Sequence, residues 1–326
     1  MSATLDHLLE PIAPFLNDPA VEELCVNREH EAWIYSRGLF TRHDIVLDAI
    51  SIEDIAIVAA AQRQQDVGNS KPLLSTDLAG RGRLQAVLEP CVAKDFPSLT
   101  IRRGSEAWPT LAELAAAGLF RNTSSTRRTH TAKDMQLIHL YKAGRWEEFF
   151  AAAVRAKKSI IGCGVTASGK THFAKAMIGE IPMDERLITI EDSAELIGLK
   201  HSNRVQLYYD SSGEGVRAAD LVAASLRMRP SRLMLQEIRD GEAAIAFLTA
   251  LQTGHKGMTT IHASHCEAAF DRLRVVIKQT PWGAAVQDAD LKSQLHELVD
   301  IVVHSTREDG PFDVDEVWFA PVAVGA

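Results

Sequence analysis

The chain has 326 residues, with 43 acidic against 35 basic side chains and a formal charge of −8. That balance argues against bulk electrostatic capture of nucleic acid or anionic lipid, though it leaves room for a local basic patch. At 46% hydrophobic and 24% charged residues, it reads as a soluble globular protein long enough for two domains with their own cores. The cysteines, Cys25, Cys91, Cys163 and Cys266, are scattered with no C-x-x-C pair. They suit buried thiols in a reducing compartment rather than a disulfide framework. No apolar signal core follows Met1, and no run is long enough to span a bilayer. Membrane association is therefore expected to be peripheral or through a partner.

In chain order, Leu5, Leu8, Leu9 and Ile12 recur at helical spacing, in a helix expected to yield at Pro11 or Pro14. Residues 31–35 and 39–41 predict a hairpin turning at Ser36-Arg37-Gly38. Ser51-Ile52-Glu53-Asp54 has the form of a capping box opening a helix to about residue 66, closed by Gly68-Asn69. Residues 72–78 are expected as irregular chain or edge strand, 83–88 and 98–102 as strands, and 110–117 as a short helix ended by Gly118. The first domain, residues 1–120, is therefore α+β and displays no catalytic constellation by itself. Arg81 and Arg83 straddle Gly82, and Arg102-Arg103 end a strand. A solvated strand end is the ordinary reading. Guanidinium forks reaching a phosphate held by the other domain is the functional one, and spacing alone favours the ordinary one.

Residues 121–132 are polar, hydroxyl-rich and without apolar periodicity, and read as an interdomain linker. The second domain, residues 133–326, opens with amphipathic helices at 133–143 and 146–156. The strand Ser159-Ile160-Ile161 leads into Gly164-Val165-Thr166-Ala167-Ser168-Gly169-Lys170-Thr171, a G-x-x-x-x-G-K-T phosphate-binding loop, and a helix follows through Met177 and Ile178. In such a loop successive backbone N–H groups, here from Gly164, Thr166, Ala167, Ser168 and Gly169, make an anion nest at a helix N-terminus. Lys170 is expected on the β- and γ-phosphates, and the Thr171 hydroxyl on Mg²⁺.

Three further apolar runs end in polar groups. Residues 186–192 close on Glu191 and Asp192, 232–237 on Glu237, and 258–261 on His262. Strands alternating with helices imply a parallel sheet covered on both faces, with its ligand at the carboxyl ends of the strands. Glu191 is favoured to position metal or water, while Asp192 is left undecided between that role and a solvated strand end. Glu237, in a Walker B-like run with a single acid, is a candidate to orient the attacking water. His262 is expected as a neutral histidine near the γ-phosphate, with a satisfied structural histidine as the alternative. Zinc held by His255, His262, His265 and Cys266 is rejected, because the spacing fits no zinc pattern. Arg227, Arg229 and Arg232 form a basic cluster suited to a subunit interface or to sheet-edge ion pairs. Helices at 268–277 and 288–298, strands at 299–304 and 315–319, and a frayed Gly325-Ala326 complete the chain.

Four segments in this order resemble the Walker A, Asp box, Walker B and His box of the traffic ATPases of bacterial type II and type IV secretion and type IV pili. They are Gly-Val-Thr-Ala-Ser-Gly-Lys-Thr (164–171), Leu-Ile-Thr-Ile-Glu-Asp (187–192), Leu-Arg-Met-Arg-Pro-Ser-Arg-Leu-Met-Leu-Gln-Glu-Ile-Arg (226–239) and Thr-Gly-His-Lys-Gly-Met-Thr-Thr-Ile-His-Ala (253–263). With Gly-Arg-Gly-Arg-Leu-Gln-Ala-Val (80–87) and Ser-Leu-Thr-Ile-Arg-Arg (98–103), the chain is most similar to the VirB-eleven type of type IV secretion ATPase over nearly its whole length.

The resemblance implies a RecA-like P-loop domain after a smaller α+β domain, assembled as a homo-hexameric ring. It implies ATP and Mg²⁺ between the domains, and Mg²⁺-dependent hydrolysis driving translocation or pilus assembly. Lys170, Glu191, Glu237 and His262 take the catalytic roles, and Arg102 or Arg103 matches the region that supplies a phosphate contact. It further implies a cytoplasmic protein, at most peripheral on the inner membrane, working with other secretion components including other secretion ATPases; the net acidity argues against stable nucleic-acid binding. Two departures stand out. Ala167 replaces a usual Gly, which would strain a positive φ by about 1 kcal/mol, and Gln236 replaces the Gly before Glu237, adding bulk beside the site. A pilus or type II secretion motor, a nucleotide-gated ring with little turnover, and a nucleic-acid translocase are the alternatives. The larger type II secretion ATPases carry a paired-cysteine zinc module absent here, and the acidity disfavours the translocase.

Overall fold

The computed structural model describes residues 3–78, 80–104, 108–124, 131–307 and 310–323. Residues 125–130 of the expected linker, and Gly325-Ala326, lie outside them.

The first half is one antiparallel sheet of β1 (Glu23–Val26), β2 (Glu31–Ser36), β3 (Leu39–Asp44), β4 (Leu73–Asp77), β5 (Arg83–Val87) and β6 (Ser98–Arg102), in the order β3-β2-β1-β6-β5-β4. Alternate residues of a strand share one face, and Leu24, Val26, Leu84, Ala86, Leu99 and Ile101 all enter one core. The helix Ala49–Gln62 lays Ile52, Ile55, Ala56 and Ala59 on that core. The hairpin turns where expected, with φ of 50° at Arg37 and 86° at Gly38, as a two-residue turn between right-twisted strands requires.

Two local expectations are corrected. Asp48, not Ser51, caps the helix, its carboxylate accepting the Ser51 N–H at 2.8 Å. The prolines start helical segments rather than ending them. Pro11 lies in the first turn of the 3₁₀ segment Glu10–Ile12 and Pro14 in that of Ala13–Asn17, where a missing N–H removes no helical bond.

The second half carries β7 (Ile160–Cys163), β8 (Leu187–Glu191), β9 (Arg204–Tyr208), β10 (Arg232–Leu235), β11 (Gly257–Ile261), β12 (Ile301–Thr306) and β13 (Asp313–Phe319). Their order is β13-β12-β7-β11-β10-β8-β9, parallel throughout except for the terminal β12–β13 hairpin. Period-two alternation splits each strand between two helical layers. Ile161, Cys163, Leu233, Leu235 and Val302 face the core under helices Ala218–Ser225, Gly241–Gln252 and Cys266–Lys278. Ile160, Met234, Ile301 and Val303 face the core under Ala132–Lys142, Trp146–Arg155 and Lys170–Gly179. This is the mixed α/β architecture with a parallel-rich sheet that the sequence implies.

The first half docks on the free edge of this sheet. Cys91 O accepts the Tyr208 N–H of β9 at 2.8 Å, and Val87, Cys91 and Val92 pack into the core with Val205 and Leu207. Covering β9 removes an exposed strand edge. Arg186, fully buried, donates to the side-chain oxygens of Asn27 and Asn203, each at 2.6 Å, and to Met228 O at 2.8 Å. Arg229 pairs with Glu23 at 2.8 Å and stacks on Tyr35. Arg232 pairs with Glu185 at 2.6 Å. In the basic cluster, Arg229 and Arg232 thus resolve into ion pairs within the chain.

Candidate phosphate-binding site

The loop 164–169 links β7 to the helix Lys170–Gly179. Its positive-φ residues are Gly164, φ 151°, Ala167, φ 63°, and Gly169, φ 91°. Successive left- and right-handed residues turn amides to one side and build an anion concavity. The Val165, Thr166, Ala167 and Gly169 amides donate to no backbone carbonyl among the described residues. The first N–H groups of the helix are unpaired by geometry and carry its positive end. Ser168 Oγ is buried without a partner, and the Thr171 hydroxyl has none among the described residues. Unclaimed donors and a hydroxyl at a helix start fit a polyphosphate and its cation.

The β12–β13 hairpin explains both loop glycines. A Cβ on Gly164 would lie 2.3 Å from Ser305 O, and one on Gly169 would lie 2.5 Å from Cγ of the Phe312 ring. No relaxation of a flexible side chain rescues the first clash, because the obstacle is backbone. Ala167 has no such reason for its conformation and holds a left-handed φ against its own Cβ. Replacing it with glycine relieves about 1–2 kcal/mol of strain and loses about half of that to the freer unfolded chain. Ala167→Gly should therefore raise the urea midpoint by the equivalent of about 0.5–1 kcal/mol.

Lys170 Nζ donates to Gly164 O at 2.9 Å and Val165 O at 2.7 Å, and lies 3.4 Å from His262 Nδ1. Burial lowers the pKa of its ammonium group, and the Glu237 carboxylate opposes that shift. His262 Nε2 meets Glu237 Oε1 at 2.9 Å. Arg239 spans Glu237 at 3.2 Å and Asp192 at 2.5 Å. A line of polar groups, Lys170–His262–Glu237–Arg239–Asp192, thus crosses the carboxyl ends of four neighbouring strands, β7, β11, β10 and β8. Two bonds stitch the middle pair: Thr260 Oγ1 donates to Gln236 O at 2.7 Å, and Ile238 N to Thr260 O at 2.8 Å.

Glu191 is not brought to this line. It is fully buried. Its carboxylate accepts from Thr189 Oγ1 at 2.6 Å, Leu196 N at 3.0 Å, Glu195 N at 3.1 Å and Gln206 Nε2 at 3.3 Å. An acceptor so filled has no lone pair left for water. At three strand spacings from β7, it lies about 14 Å from the loop. Its neighbour Asp192, through Arg239, is the member of the pair that joins the line. Gln236 does not crowd Lys170: its Oε1 accepts the Asp192 N–H at 3.0 Å and buttresses that corner.

Arg102 and Arg103 are not brought to the loop within the chain. Arg103 donates to the carbonyls of Asp18 and Val21. Arg102 pairs in register with Glu23, whose carboxylate holds Arg229 just before the amino end of β10. The loop is at the opposite end of the parallel sheet, about 15 Å away.

Arg272 enters the site unannounced by any motif. With Glu237, Ile238, Arg239 and His262 it lines a cavity of about 260 Å³. No ion pair is seen for it among the described residues. Only the register of Cys266–Lys278 against the sheet turns it this way.

A family model described as type II/IV secretion system protein matches residues 126–305. Protein VirB11 of Rhizobium radiobacter is 38% identical over 323 residues, 97% of this chain and 94% of that one. Protein VirB11 of Agrobacterium fabrum is 39% identical over 320 residues, 96% and 92% of the two chains. The crystal structure of the VirB11 ATPase from the Brucella suis type IV secretion system, in complex with sulphate, has a TM-score of 0.93 at 35% identity and covers 98% of this chain and 95% of that one.

Proposed function

This chain belongs to the type II/IV secretion system protein family, and from that membership we propose that it is an Mg²⁺-dependent ATPase driving substrate translocation or pilus assembly in a type IV secretion system. The observation that carries the reading is the line from Lys170 through His262 to Glu237 beside a nest of unclaimed amides. Phosphoryl transfer needs positioned charge more than covalent chemistry. The nest and Lys170 would hold the β- and γ-phosphates of ATP, and the Thr171 hydroxyl would hold Mg²⁺. Bound there, the cation would supply neutralisation of charge on the phosphate oxygens. Glu237 orients the attacking water and draws its proton. His262, in contact with both Glu237 and Lys170, couples the base to the phosphate end. Glu191 acts through the backbone it pins.

The distance of Arg102 from its own loop supports assembly, since a second copy can supply what one chain leaves apart. The helix Leu111–Ala116 buries none of its residues, and Leu111, Leu119 and Phe120 are exposed. An apolar segment of that kind needs cover. We propose a homo-oligomeric ring, hexameric by family likeness, in the cytoplasm beside membrane components of the machine.

Phosphate release by the purified full chain tests the reading. Turnover is expected with ATP and Mg²⁺ and should vanish with excess EDTA. A ring that forms on ATP without releasing phosphate would transfer the conclusion to a nucleotide-gated scaffold.

A further inference from the structure

Phe312 belongs to none of the three hydrophobic cores. It stands between β12 and β13, near Gly310, whose carbonyl accepts from Arg307 Nε at 3.0 Å. Its ring lies against Gly169, so closely that a Cβ there would sit within 2.5 Å of it. Its ring partner is His172, at a centroid distance of 4.7 Å and a tilt of 55°. Phe312 nevertheless remains 38% exposed. The ring is thus held in place by the loop and by His172 while part of its surface stays open to solvent beside the phosphate-binding loop. Here two aromatic side chains flank the start of the loop helix, on the opposite flank of β7 from the catalytic line. That line runs from β7 across β11 and β10, whereas the hairpin carrying Phe312 lies on the β12 side.

We infer that Phe312, with His172, is the platform on which the base of the bound nucleotide stacks. The inference rests on the reading that the loop holds a nucleoside triphosphate. It adds where the base lies and how it is recognised. A phosphate chain seated in the nest with its γ end toward Glu237 has its nucleoside end directed the other way, toward the hairpin. Stacking on a benzene ring strengthens binding by about tenfold or more per base and tolerates any base, because every base presents a π-face. Recognition by this platform is therefore by ring area rather than by edge hydrogen bonds. ATP and GTP should bind within a few-fold of each other.

The test compares ATP with inorganic tripolyphosphate, which keeps the phosphates and lacks the base. Both are titrated calorimetrically, with Mg²⁺, into the full chain carrying Phe312, Phe312→Ala or Phe312→Trp. Phe312→Ala should weaken ATP about tenfold or more and leave tripolyphosphate unchanged. Phe312→Trp should restore ATP affinity. In turnover the alanine variant should raise KM with kcat nearly kept. Equal weakening of both ligands would overturn the inference, because Phe312 would then act by supporting Gly169. Unchanged ATP affinity would overturn it as well. Failure of the unaltered chain to bind tripolyphosphate and ATP alike would instead sink the nucleotide reading on which it rests.

Discussion

Lys170→Ala should lose ATP turnover by on the order of 10³-fold or more and should lose most nucleotide affinity with it. The magnitude follows from what the ammonium does. In the proposed reading it is a preorganised charge, partly withdrawn from water, at the place where negative charge would develop. One such donor removed from a developing oxyanion costs about 10²–10³ in rate, and here the donor carries a full charge. Burial has already lowered its pKa, so the fold holds a partly desolvated cation that an anion would stabilise. In the chain itself its Nζ donates to the Gly164 and Val165 carbonyls, both loop groups that water satisfies equally well. The variant should therefore keep its thermal transition, which separates lost chemistry from lost fold. Lys170→Arg should rescue little, since a planar fork does not replace a point charge on a flexible stem. Phosphate release by Lys170→Ala at the unaltered rate would refute the catalytic assignment.

Glu237→Gln is expected to bind ATP with nearly unchanged affinity and to hydrolyse it about 10²–10³-fold more slowly. Glutamine keeps the volume and an oxygen for His262 but cannot take a proton from water, and general-base catalysis typically contributes 10²–10⁴-fold. The carboxylate is well placed for this role. Its side chain is 15% exposed and touches His262 on one side and Arg239 on the other. Asp192→Asn is the informative control. Asp192 reaches the line only through Arg239, so its loss should slow turnover far less. Equal rates for Glu237→Gln and the unaltered chain in single-turnover phosphate release would remove Glu237 from the mechanism. A larger defect in Asp192→Asn than in Glu237→Gln would move the base to the neighbouring strand.

Much of this site was legible without coordinates. A glycine, four residues, then Gly-Lys-Thr between an apolar run and a helical one specify a loop whose conformation is local. The demand for a positive φ at position 167 was equally local, and alanine meets it at 63°. Apolar runs closing on Glu191, Glu237 and His262 put those residues at strand ends, because in a parallel sheet all strands point one way. The strand β9 was also open to reading. Val205 and Leu207 alternate with half-buried neighbours, but five residues make a weak signal beside long helices. β1 carried less, since its four residues are buried on both faces and show no alternation.

What the sequence by itself determined was therefore the loop, the strand tips and the chemistry each tip offers, because backbone geometry and period depend on near neighbours in the chain. Only the tertiary structure decided which tip is free to act. β8 lies beyond β10, next to β9, so Glu191 is filled by Gln206 and by the amides of Glu195 and Leu196. Glu237, one strand from His262, keeps its place beside Lys170. The docking of the first half on β9 likewise carries Arg102 and Arg103 away from the loop. The folded hairpin, from more than a hundred residues downstream, brings Phe312 onto Gly169. A carboxylate's lone pairs and an arginine's reach are settled by strand order and docking, and neither is written in the spacing of residues along the chain.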